Sequence, residues 1–302
     1  MIDVLSLALT VVGLVVFETI SSIDNAIVNA EVLGTMQPKA RRWFLLWGMI
    51  VSVFLIRGLL PWLIIWLATP SLGPIGALTA AFSNDPRVLL AVQTSSPILL
   101  AGGGTFLVFL FFHWLFLEPK NYGLRGEKFF HSQGAWFYAV VSILLAAIVW
   151  VALRVNPMMA FGAVLGSTAF FITHGFKQNA ELQEKQLMNQ GISDISKIFY
   201  LEVIDATFSI DGVLGAFAFT LSVPLILIGS GIGAIVVRQL TVAHIERVKK
   251  YIFLKNGAMY SILCLGVIMM LDSFAIHVPS FISPLITFAV IGFFFVKSVR
   301  AT

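Results

Sequence analysis

The sequence predicts an all-α, polytopic helical membrane protein of about nine transmembrane helices with an inverted repeat. Three observations carry that expectation. The chain is 59% hydrophobic and only 11% charged, whereas soluble domains are about a quarter charged; its mean hydropathy is +0.95. The apolar residues fall in runs near the roughly 20 residues that a helix needs to cross hydrocarbon. One acidic tripeptide occurs twice, in the first and the sixth of these runs.

A chain this apolar cannot cover its surface in water, so lipid is its solvent. The single cysteine, Cys264, lies in an apolar run, which excludes an internal disulfide framework and a multi-cysteine metal site. The start does not read as a signal peptide. Asp3 stands where positive charge belongs, and the apolar run continues to Leu33 without a small-residue cleavage site.

The nine expected spans are 4–33, 43–68, 97–117, 135–153, 157–175, 197–220, 222–243, 256–276 and 280–297. With this alternation, 15 of the 19 Lys and Arg residues fall on one side, Arg87 and Arg154 fall on the other, and Arg57 and Arg238 lie inside spans. The positive-inside rule makes the crowded side cytoplasmic, with the N-terminus outside and the C-terminus inside a cell membrane. The basic loops read as topology signals. They form no long basic run interleaved with aromatics, so nucleic acid is not an expected partner. A polar, helix-prone linker at 176–196 divides an N-terminal transmembrane half, 1–175, from a C-terminal half, 197–302.

Spans 1 and 6 break the membrane rules. Span 1 holds Glu18, Ser22, Asp24 and Asn25; span 6 holds Glu202, Asp205, Ser209, Asp211 and Gly212. Both contain Ser-Ile-Asp with a carboxylate six residues before its Asp, and Glu18, Ser22 and Asp24 align with Asp205, Ser209 and Asp211 at an offset of 187. The loop charges run the two spans in opposite directions. That is the inverted-repeat arrangement of many secondary transporters, whose sites lie at the midplane.

Five carboxylates at that depth would cost roughly 12–17 kcal/mol on insertion scales if additive. Arg57 and Arg238 are too few to neutralise them, so a divalent cation with some protonation fits best. The oxygen donors suit Mn²⁺, Mg²⁺ or Ca²⁺. Neither motif holds His or Cys, which disfavours Zn²⁺. On straight helices Asp24 sits about 120° from Glu18, and Asp211 points roughly opposite to Glu202. Either the helices break, near Ser22–Asn25 and Phe208–Gly212, or the aspartates serve a second face. Breaks are expected, with Gly212 and Gly215 fitting one of them. Asp272 is evenly balanced between structural and functional roles. His113, His174 and His244 fall near span ends, where solvated or packed roles are expected, and Gly102-Gly103-Gly104 suits close helix approach.

The paired motif, Glu18…Ser22-Ile23-Asp24-Asn25 with Glu202…Asp205…Phe208-Ser209…Asp211, resembles the TerC family of membrane proteins within the lysine-exporter superfamily. That family is associated with tellurite-resistance loci, and several members are linked to manganese export. The resemblance implies that Glu18, Asp24, Asn25, Glu202, Asp205 and Asp211 are ion-site residues, supported by Ser22 and Ser209. Gly212 departs from the family, where many relatives carry a small polar residue, and the long 69–95 and 176–197 segments mark a divergent branch.

The leading expectation is a divalent-cation transporter with manganese export favoured. The alternative is a membrane scaffold for cytoplasmic stress-response or secretion partners, with a structural ion. An organic-solute exporter rests on superfamily analogy alone. Enzyme activity is not expected, since no nucleophile–base pair or cofactor motif is present.

Overall fold

In hydrocarbon each backbone N–H and C=O must be satisfied within its own segment, so apolar runs become helices. The protein is represented by a computed structural model, described for residues 4–48, 50, 57–80, 86–187, 192–243 and 248–301. In chain order the helices are α1 (Val4–Ser21), α2 (Ile23–Gly34), α3 (Pro38–Trp43), α4 (Arg57–Ala68), α5 (Gly73–Ala80), α6 (Pro86–Leu117) and α7 (Arg125–Ser132). Then follow α8 (Phe137–Val155), α9 (Pro157–Leu187), α10 (Asp194–Ala216), α11 (Val223–Ala243), α12 (Leu254–Ser273) and α13 (Ile282–Ala301). No strand occurs among the described residues.

Local chemistry sets several boundaries. Pro38, Pro86 and Pro157 each open a helix, where a missing N–H costs nothing. Ser193 caps α10 by accepting a hydrogen bond from the Ser196 N–H at 3.3 Å.

Among the described residues, seven helices are long and apolar enough to cross a membrane: Val4–Ser21, Thr94–Leu117, Gly134–Val155, Pro157–Asn179, Val223–Leu240, Leu254–Ser273 and Ile282–Ala301. Two of the nine expected spans are not among them. Span 43–68 lies partly outside the described residues. Span 197–220 forms α10, which is 23 residues long but carries Asp194, Lys197, Glu202, Asp205 and Asp211. The helix expected for the 176–196 linker runs as the continuation of α9 to Leu187.

Side-chain contacts give the relative helix directions. Along α6 and α9, Gly102 meets Gly162 and Gly166, Phe106 meets Phe170, and His113 meets His174, so these helices run parallel. α12 opposes α6, because Gly104 meets Met270, Trp114 meets Tyr260, and Glu118 meets Lys255. α13 opposes α12, with Tyr260 stacked on Phe294 and the Phe253 N–H donating to Ser298 Oγ at 2.9 Å. α11 runs parallel to α1, with Gly229 against Leu14 and Gly233 against Glu18. The apolar window of α6 is 78% buried and that of α8 only 17%. α6 is therefore the centre of the bundle, and α8 presents most of its apolar surface outward.

Candidate functional site

The expected span 4–33 is two helices, interrupted at Ser22, whose backbone lies at φ −91° and ψ 7°. The interruption is one residue wide. The Ser22 N–H still donates to the Glu18 carbonyl at 3.1 Å, and Ala26 donates to the Ser22 carbonyl at 2.9 Å. Ser22 Oγ donates to Glu18 Oε1 at 2.9 Å, so the hydroxyl and the carboxylate of the motif are already joined one turn apart.

α10 does not break. It is helical from Asp194 through Ala216, which corrects the expected opening at Phe208–Gly212. Ser209 Oγ donates back to the Asp205 carbonyl at 2.7 Å, an ordinary intrahelical bond for a hydroxyl. The two glycines serve close approach instead. A Cβ at Gly212 would stand 2.8 Å from Glu18 Oε2, and one at Gly215 would collide with the Phe17 ring.

α1–α2 and α10 run antiparallel, side by side. Glu18 lies against Gly212, Asn25 Nδ2 donates to Asp205 Oδ1, and Lys197 Nζ donates to Thr35 Oγ1 at 2.8 Å. Further on, the Gln37 N–H donates to Asp194 Oδ2 at 3.1 Å. Positions rise on one helix as they fall on the other. The 187-residue offset relates Glu18 to Asp205 and Asn25 to Gly212. The contacts Glu18–Gly212 and Asp205–Asn25 are therefore two copies of one contact, exchanged by a local two-fold as in an isologous interface.

The acids divide among four surroundings. Glu18 is 2% exposed and bonded to Ser22; Asp205 is 8% exposed and bonded to Asn25, itself 3% exposed. Asp211 forms an ion pair with Lys177 of α9. Glu202 lies beside Gly48, whose Cβ position is also 3.1 Å from Arg238 Nη2, so Arg238 is the nearby countercharge. Arg238 also donates to the Phe44 carbonyl at 3.1 Å and stands over the Phe44 ring at 4.4 Å. The side chains of Asp24, Arg57 and Phe208, and all of His244, lie outside the described residues. Among the described residues no group of three or more His, Cys, Asp or Glu side chains is arranged to hold one metal ion.

Two corrections follow. Counting only Arg57 and Arg238 as buried cations omitted Lys177, because a polar stretch reads as a loop. Here α9 simply continues, and Lys177 and Asp211 are each only 13% exposed. The other correction is the expected break in α10: the second alternative holds there, with Asp205 and Asp211 serving different neighbours. Asp211 turns to α9, so α10 has no need to break. Several buried oxygens find no hydrogen-bond partner among the described residues: Asn25 Oδ1, Asn29 Oδ1, Asp211 Oδ1 and both Glu202 oxygens. Asp272 is a structural acceptor, taking the Val278 N–H at 2.7 Å beyond the end of α12.

A cavity of about 720 Å³ reaches Asp211 and Lys177. Its other polar walls are Ser21 from α1, His113 and Glu118 from α6 and its end, His174 and Gln178 from α9, and Lys255 from α12. His113 Nδ1 lies 3.3 Å from Glu118 Oε1, and Lys255 Nζ lies 2.8 Å from Glu118 Oε2. Burial alone would raise the Glu118 carboxyl, but the bonds from His113 and Lys255 outweigh it and hold the group well below the usual carboxylate range. The two histidines were legible in sequence only as span-end residues 61 positions apart. Nothing in their spacing signals that the parallel packing of α6 and α9 joins them.

Fold and site together define a polytopic α-helical membrane protein with paired acidic motifs on antiparallel helices. Residues 23–302 match the family described as "Protein of unknown function (DUF475)", and the chain belongs to that family. Comparisons with curated proteins and with solved structures returned no match.

Proposed function

We propose that this protein is a membrane transporter for a divalent metal cation, with manganese export the favoured activity. One observation carries the reading: buried oxygens of Asn25, Asn29, Glu202 and Asp211 without a hydrogen-bond partner among the described residues, near the antiparallel α2–α10 contact. A buried acceptor left unsatisfied costs about 1–3 kcal/mol, more when charged. A hard cation would satisfy carboxylate and amide oxygens together. Glu18, Asp24, Asn25, Glu202, Asp205 and Asp211 would supply donors along its path, with Ser22 and Ser209 in support. Because Lys177 is bonded to Asp211, the ion would have to displace an ammonium to reach that carboxylate. The resemblance of the paired motif to the TerC family favours Mn²⁺ over Mg²⁺ and Ca²⁺. The charge bias of the loops favours a cell membrane with the N-terminus outside.

A second reading is a membrane scaffold for cytoplasmic partners. It is favoured by the Lys177–Asp211 pair, which already neutralises one of the acids. Cellular metal content separates the two. Cells carrying the protein should tolerate more external Mn²⁺ and hold less of it than cells without it. Asp24→Asn, Asp205→Asn or Asp211→Asn should each remove the advantage at normal membrane levels of the variant. Unchanged content of every metal in cells carrying the intact protein would favour the scaffold.

A further inference from the structure

The two histidines of the cavity play no part in the cation path just described. Their ring centroids are 3.8 Å apart at an interplanar angle of 52°, and His113 is 5% exposed. The frame that holds them is tight. A Cβ at Gly102 would stand 2.8 Å from the Gly162 carbonyl oxygen, and one at Gly166 would fall on the Gly102 carbonyl, so the two backbones touch. About three turns further along α6, His113 meets His174 between the rings of Phe137 and Phe170.

Two imidazolium rings this close repel strongly away from water. The pair therefore holds at most one proton. Among the described residues, the charged groups facing it are few. Glu118, at the end of α6, is its acidic neighbour, and Lys255 of α12 is bonded to Glu118. Lys177 of α9 is bonded to Asp211 of α10. Among the described residues, α1 and α2 contribute Ile20, Ser21, Ile23, Ile27 and Val28 to this cavity. His174 precedes Lys177 by three residues on one helix, the spacing at which side chains are neighbours.

We propose that His113 and His174 form a single-proton site that makes proton and cation binding mutually exclusive. This rests on the transport reading for its coupling step. A proton taken from water onto the pair adds positive charge beside Lys177 and presses its ammonium onto Asp211, which keeps a cation off that carboxylate. Loss of the proton to water relieves the repulsion and lets Lys177 yield Asp211 to the ion. Proton and cation then move in opposite directions.

Two measurements test this. The full-length protein is reconstituted in liposomes loaded with a pH-sensitive dye, and Mn²⁺ is added outside. Mn²⁺ entry should drive proton exit, and a gradient of one pH unit should change the initial rate by up to about tenfold, the change in proton activity. His113→Gln and His174→Gln should still move Mn²⁺ but respond less than about twofold to the same gradient. Variants as responsive as the parent protein would overturn the coupling. Separately, imidazole ¹⁵N resonances of the metal-free protein are followed against pH. The pair should take up its first proton well before its second, a separation that His174→Gln should abolish. Two imidazoles titrating independently in the parent protein would overturn the site itself. Absence of Mn²⁺ movement in the parent protein would overturn transport and coupling together, while the resonances still decide whether the pair holds one proton.

Discussion

At the scale of single residues, glycine marks where helices come closest, and the surroundings of each glycine decide what a methyl group would do. Gly212 faces the Glu18 carboxylate, with a Cβ position 2.8 Å from Oε2. Gly175, in the middle of α9, has nothing within 4 Å of its Cβ position. Gly212→Ala should therefore lower the thermal midpoint of the purified protein, at a cost of about 1–3 kcal/mol for overpacking. Gly175→Ala should raise it, since alanine in an open helical position gains about 0.5–1 kcal/mol. Equal shifts for the two variants in detergent would show that the Glu18–Gly212 contact is not tight. In sequence both glycines are equally plain residues of a helix. The 187-residue offset identifies Gly212 as the partner of Asn25, but it does not reveal that this position is hollow to admit a carboxylate.

At the scale of elements, the C-terminal end of α6 is finished by a lysine. Lys120 Nζ donates to the Trp114 carbonyl and, at 2.7 Å, to the Leu115 carbonyl, and it stands 4.4 Å over the Trp114 ring. It thus satisfies two of the four carbonyls that a helix end leaves open. Burial is the largest influence on this ammonium and pushes its pKa down from 10.5 to about 8, against the opposing pull of Glu118 and Glu127. A base with a depressed folded pKa disfavours folding while it must be protonated. Between about pH 8 and 10.5 the unfolded chain holds a proton that the folded chain has shed, so this residue makes stability rise with pH across that window. The thermal midpoint measured from pH 8 to 10 should show a rising contribution that Lys120→Met removes. Identical pH profiles for the two proteins would rule out the depressed ammonium.

At the scale of the whole molecule, the two halves are joined by a charge pair as well as by apolar packing. Lys177 lies beyond the last apolar residue of its span, and Asp211 lies in the second acidic motif. Their mutual burial leaves either one isolated when the other is removed. Breaking a buried pair costs about 3–5 kcal/mol, whereas replacing both partners is often close to neutral. Lys177→Met and Asp211→Asn should each lower stability, and the double variant should be more stable than either single one. Additive losses in thermal or denaturant unfolding would show that the two charges act separately. The outcome also bears on transport, because both members of the pair line the cavity and Lys177 holds the Asp211 carboxylate.

The sequence by itself determined that the chain lives in lipid, that it is all-helical, and that its two acidic motifs are related. Each of these is written in local pattern: apolar runs long enough to span, and Ser-Ile-Asp recurring with an acid six residues before its Asp. The tertiary structure alone decided which groups meet. A straight α10 sends Asp205 to Asn25 and Asp211 to Lys177, so the carboxylates that one shared ion would gather are divided between two neighbours. The continuation of α9 past its apolar stretch carries Lys177 to an acid 34 residues away. The parallel crossing of α6 and α9 at touching glycines brings two histidines together. The physical reason is the same in each case. Helical periodicity fixes the direction of a side chain about its own axis, but what stands in that direction depends on how neighbouring helices pack.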